Sequence, residues 1–92
     1  MAKVTISTTI HSNTIEDFER LHGFITQDYL DRLVISKNLY SDVKLIKKTD
    51  TIIHLSMDFQ YFEDVMEIIA IDLNVGIKYK VYIEDEYIIK HN

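Results

Sequence analysis

Four histidines, His11, His22, His54 and His91, are the side chains of this 92-residue chain best suited to hold a metal ion or move a proton near neutral pH. Their spacing supports neither task. No two stand at the i, i+4 separation that puts a pair of imidazoles on one helical face, and none belongs to a ligand motif such as HExxH. His11 falls in a polar break, His54 on a strand and His91 in the C-terminal tail, so they read as surface residues. Catalysis needs a nucleophile, or an acid and a base, within hydrogen-bond reach in a pocket, and a two-layer domain of this length has little volume for one. The expectation is a protein that is not an enzyme, with no catalytic, cofactor-binding or metal-binding residues and no cofactor.

Composition narrows the classes further. Cysteine is absent, which excludes disulfides, thiol catalysis and cysteine-ligated zinc or iron-sulfur centres. With two glycines and no proline, the chain has no Gly-rich phosphate loop. The 47% hydrophobic and 27% charged residues are those of a folded globular protein, and a chain of this length supports one core, so residues 1–92 read as a single domain. The first ten residues alternate apolar with hydroxyl side chains, unlike a secretion signal, and no long apolar run follows. A cytoplasmic location is expected. The net charge of -5 weighs against nucleic-acid binding over a broad surface, although a local basic face stays open. A composition rich in Ile, Lys, Asp, Asn and Tyr is that of an AT-rich genome and resembles small accessory proteins of bacterial viruses, which favours a regulator or inhibitor of another protein.

The elements that would position these side chains follow from periodicity. Asp58 to Gly76 places Phe62, Val65, Met66, Ile69 and Leu73 on one side of a helix and Gln60, Glu63, Asp64, Glu67 and Asn74 on the other. Asp58 is its expected N-cap and Gly76 the left-handed residue that closes it. Residues 3 to 10 alternate with period two as a half-buried strand, Val4, Ile6, Thr8 and Ile10 inward. Asn13 or Thr14 caps a first helical region from Ile15 to Leu33, which Gly23 and a second cap at Thr26 divide. Two strands follow, around Val43 and Leu45 and around Ile53 to Met57, joined by a polar hairpin loop, Lys47 to Thr51. After Gly76, Ile77, Tyr79, Val81 and Ile83 alternate inward. An in-phase Asp85 would be buried, and an unpaired buried carboxylate is costly, so a turn at Glu84 to Glu86 and a returning strand at Tyr87 to Ile89 are expected.

This order of elements resembles the ferredoxin-like βαββαβ arrangement, an α+β two-layer sandwich with two helices on one face of an antiparallel sheet and, here, an extra C-terminal strand. The resemblance covers nearly the whole chain as an order of elements and carries no function with it.

In such a sheet the face turned away from the helices collects Lys3, Thr5, Ser7, Thr9, Lys44, Ile46, Lys48, Ile52, His54, Ser56, Lys78, Lys80 and Tyr82. That face is basic, and the helix layer, with Glu63, Asp64 and Glu67, is acidic. The leading expectation is a protein-interaction module, self-associating as a homodimer, whose contacts come from Ile46, Ile52, His54, Lys78, Lys80, Tyr82, Glu63, Asp64, Glu67 and Ile71. Ile71 is singled out because it lies inside the acidic helix face. A second reading is an RNA- or anion-binding sheet, which the lack of aromatic residues at the central positions weakens. A third is an acidic helix face that imitates nucleic acid.

Overall fold

The computed structural model describes residues 4–84. In chain order these form β1 (Thr5–His11), α1 (Ile15–Phe24), α2 (Gln27–Ser36), β2 (Lys44–Lys48), β3 (Ile53–Asp58), a 3-10 turn (Phe59–Tyr61), α3 (Phe62–Leu73) and β4 (Lys78–Glu84). The result is an α+β fold with three helices and a four-stranded antiparallel sheet ordered β2-β3-β1-β4. Thus β1 and β2 flank β3, and β3 and β4 flank β1. The expected returning strand, Tyr87 to Ile89, lies outside the described residues, as do Lys3 and His91.

Alternation places one face of the central strands in the core. Ile6 and Ile10 of β1 and Ile53, Leu55 and Met57 of β3 join Leu21, Leu30, Leu33, Val65 and Ile69 from all three helices in one apolar cluster. All three helices therefore lie on the same side of the sheet. Burying each of these aliphatic side chains contributes about 1.5 to 3 kcal/mol before the ordering entropy is subtracted. Thr8, the one polar residue on the inward face of β1, is fully buried and satisfied: its Oγ1 donates to the Lys80 carbonyl at 3.0 Å.

The first helical region is two helices, with the break two residues later than Gly23. Gly23 lies within α1, and the chain leaves helical geometry at Ile25 and Thr26. Thr26 accepts from the Tyr29 N–H at 3.1 Å and starts α2, as Thr14 accepts from the Asp17 N–H and starts α1. The expected single helix from Asp58 to Gly76 is shorter at both ends. Asp58 caps the 3-10 turn instead, accepting from Gln60 N–H at 2.9 Å. The left-handed residue that ends α3 is Asn74, at φ 54°, whereas Gly76 has no positive φ. Arg20 of α1 then reaches the exposed carbonyls of Leu73 and Asn74, both at 3.4 Å, so a guanidinium meets the negative end of α3.

One correction bears on every surface argument. Strand β2 contains a bulge: Lys44 pairs with Ser56 and Leu45 with Leu55, but Lys47 pairs with His54 and Lys48 with Ile53. Ile46 is the extra residue, and it reverses the alternation that follows it. Lys48, expected on the open face, stands opposite the core residue Ile53, and its Nζ donates to the His22 carbonyl at 2.8 Å. Lys47 takes its place on the open face.

Candidate interaction surface

With the bulge included, the register sets out the open face in rows. Lys47, His54, Thr9 and Lys80 form one row across all four strands, and Lys44, Ser56, Ser7 and Tyr82 form the next. His11 sits beside Lys78 at one end, while Asp58 and Thr5 stand at the other. The face is therefore cationic over most of its length, with the carboxylate of Asp58 at one end. The middle of the sheet carries only short hydroxyl side chains and one imidazole. Ser7, between Ser56 and Tyr82 in the register, is 4% exposed. The lysines and Tyr82 stand around this shallow centre, Tyr82 52% exposed.

The other expected contact residues divide. Ile46 is 51% exposed and Ile71 70% exposed, so both present apolar surface to solvent. Ile52 does not: it is half-buried in the β2–β3 turn, where its carbonyl accepts from the Thr49 N–H at 2.9 Å and its own N–H donates to Thr49 Oγ1. Glu63, Asp64 and Glu67 are exposed on α3, and the first two lie in its first turn, where the helix dipole favours negative charge. That placement gives these acids a structural reason independent of any partner.

The structure also brings together residues that the sequence separates. A groove of about 930 Å³ opens between the start of α1 and the β2–β3 turn, lined by His11 and His22 with Glu19, Asp50, Ile15 and Phe18. His22 contacts the Phe18 ring, with centroids 5.8 Å apart. Its titratable groups come from β1, α1 and the β2–β3 turn. Among the described residues no three His, Cys, Asp or Glu side chains are placed to hold a metal ion.

Two polar contacts fix the layers beside this surface. The Gln27 side chain, at the start of α2, lies against the outer edge of β2. Its Oε1 accepts from Leu45 N–H at 2.8 Å and its Nε2 donates to the Val43 carbonyl at 2.9 Å. An amide in this position uses the very groups that an added strand would need. On the helical side, Tyr29 of α2 donates its hydroxyl to Asp72 Oδ2 of α3 at 3.0 Å. Burial, then this hydrogen bond and the negative charge of Asp72, push the Tyr29 hydroxyl well above its ordinary value of 10.0. Nothing in the sequence periodicity marks Gln27 or Tyr29 for these roles, since both occupy ordinary polar or boundary positions on a helix.

No protein-family model, curated protein or solved structure matches this chain. Among the described residues no helix is long and apolar enough to cross a membrane.

Proposed function

We propose that the chain is a non-enzymatic protein-interaction module that lays its open sheet face against an acidic surface of a partner protein. The observation that carries this reading is the pair of cross-strand rows, in which Lys44, Lys47, Lys80 and Tyr82 surround a flat centre of Ser7, Thr9 and Ser56. A shallow face with a charged rim suits a broad complementary surface, and oppositely charged surfaces steer such an encounter. The overall charge of -5 supports selectivity, because the acidic helix layer repels acidic partners that approach from the other side.

The strand order supports assigning the fold to the ferredoxin-like split βαβ arrangement. In β2-β3-β1-β4 each helical crossover joins two strands that have a third between them, β1 to β2 around β3 and β3 to β4 around β1.

One observation favours the second reading, RNA binding: the row from Lys47 to Lys80 spans the sheet as a phosphate backbone would. Against it, the central open-face positions Ser7, Thr9, His54 and Ser56 provide no aromatic ring on which bases stack. Affinity capture from a native lysate with and without nuclease separates the two. Nuclease-resistant capture that a Lys47→Glu, Lys80→Glu variant abolishes supports the protein reading. Capture lost to nuclease sinks it.

A further inference from the structure

The two edges of the sheet are not alike. At β2, the Gln27 amide occupies the outward groups of Val43 and Leu45, the Ile46 bulge interrupts the ladder, and Lys44 and Lys47 flank it. Each of these features obstructs strand addition. At the other edge, β4 runs for seven residues without a bulge, and among the described residues no strand pairs with its outer side.

Which backbone groups β4 turns outward follows from the alternation of antiparallel hydrogen bonding. The Phe59 N–H donates to the Val4 carbonyl at 2.8 Å, so the even residues of β1 bond to β3 and the odd ones to β4. The odd residues of β1 pair with Lys78, Lys80, Tyr82 and Glu84. Tyr79, Val81 and Ile83 therefore direct their N–H and C=O groups to the free edge. Their side chains lie on the helix side of the sheet, with Tyr79 46% and Ile83 63% exposed. The Tyr79 ring is held edge-on against Phe62, centroids 5.0 Å apart.

We propose that two copies of the chain pair β4 with β4, antiparallel and centred on Val81. This register sets Val81 opposite Val81, Tyr79 opposite Ile83, Lys80 opposite Tyr82 and Lys78 opposite Glu84 of the second copy. It is self-complementary on both faces. The exposed apolar residues meet on the helix side, while lysine meets tyrosine on the open side. Centring the ladder on Lys80 would instead set two lysines against each other, and centring it on Tyr82 would run it past the end of β4. The Val81 register is the one in which every residue of the strand has a partner and no like charges are opposed. A two-fold axis through Val81 makes the contact isologous and closed, and it doubles the width of the open face without covering it. The dimer uses an edge and partner binding uses a face, so either can fail while the other stands.

The test uses the full chain in sedimentation equilibrium over a wide micromolar range. The wild type should move from monomer to dimer mass. Val81→Pro removes an N–H that points away from β1, so the intramolecular ladder remains, and the variant should stay monomeric with an unchanged circular dichroism spectrum. Tyr82→Lys, and separately the double variant Lys80→Glu with Tyr82→Glu, should each weaken self-association about tenfold by opposing like charges in both symmetry-related pairs, and an equimolar mixture of the two should recover it. This mixing arm decides the matter even if Val81→Pro fails to fold. A wild type that stays monomeric, including one whose own residues beyond 84 occupy this edge, overturns the proposal, as does a mixture that associates no better than its components.

Discussion

The Nζ of Lys48 donates to the main-chain carbonyl of His22 at 2.8 Å, from a strand position that simple alternation assigns to the opposite face of the sheet. The contact exists because the Ile46 bulge reverses the phase of β2, and it ties the end of the hairpin to the last turn of α1. A cation at a helix C-terminus meets carbonyls that have no partner within the helix. Lys48→Met keeps the aliphatic stem and removes the charge, and it should cost about 1 kcal/mol in urea unfolding. Lys47→Met, on the open face one residue earlier, should change stability by less than about 0.5 kcal/mol. Equal losses for the two variants would contradict the bulged register.

Tyr29 and Asp72 join α2 to α3 through a single hydrogen bond. Tyr29→Phe should destabilise the fold by about 1 kcal/mol at neutral pH. The pH dependence carries a sign. The folded chain holds the Tyr29 proton more tightly than the unfolded chain, so the contribution is fully present below pH 10.0 and is lost as pH rises towards and through the higher folded value. The stability gap between wild type and Tyr29→Phe should therefore narrow above about pH 10. Denaturant titrations at neutral pH and pH 11 check it.

The end of α3 turns on Asn74, at φ 54°. Asn74→Ala should cost about 1 kcal/mol, because a side chain with no local hydrogen bond to offer is strained in the left-handed region, whereas Asn74→Gly should be neutral or stabilising. Gly76→Ala should be tolerated, since a Cβ there would meet nothing closer than Asn13 Nδ2 at 3.9 Å. Thermal unfolding of the three variants ranks them directly.

Gly23 lies within α1, and apart from its chain neighbours and its own helix backbone no atom lies within 4 Å of where its Cβ would be. Gly23→Ala should stabilise the protein by about 0.5 to 1 kcal/mol by lowering the entropy of the unfolded chain. Thr26→Ala, which removes the cap of α2, should destabilise it by about 1 kcal/mol.

These positions show what the sequence made legible. Where burial dictates residue type, the pattern was sufficient: Ile6, Thr8 and Ile10, then Ile53, Leu55 and Met57, face the core as their alternation requires, and Val65, Met66 and Ile69 form the buried stripe of α3. The bulge was hidden because KLIKK carries no phase signal of its own. Ile46 continues the apolar alternation from one side, and either following lysine can face water. By residue type Gly76 is the stronger left-handed candidate, yet α3 ends at Asn74 before reaching it. Alternation with His54 puts Ile52 on the open face, whereas the turn set by the Thr49 hydrogen bonds leaves it half-buried. The groove holding His11, His22 and Asp50 joins segments far apart in the chain, and neither segment carries a motif.

Site-specific photo-crosslinking tests the functional account most directly. A photoreactive residue is placed at Tyr82, on the open face, or at Ile71, on the acidic helix face, and both proteins are irradiated in a nuclease-treated native lysate. The account predicts discrete protein adducts from position 82 and few from position 71, with the position-82 adducts lost on adding Lys47→Glu and Lys80→Glu. Adducts that form from position 71 instead, or that survive the two charge reversals, would contradict it.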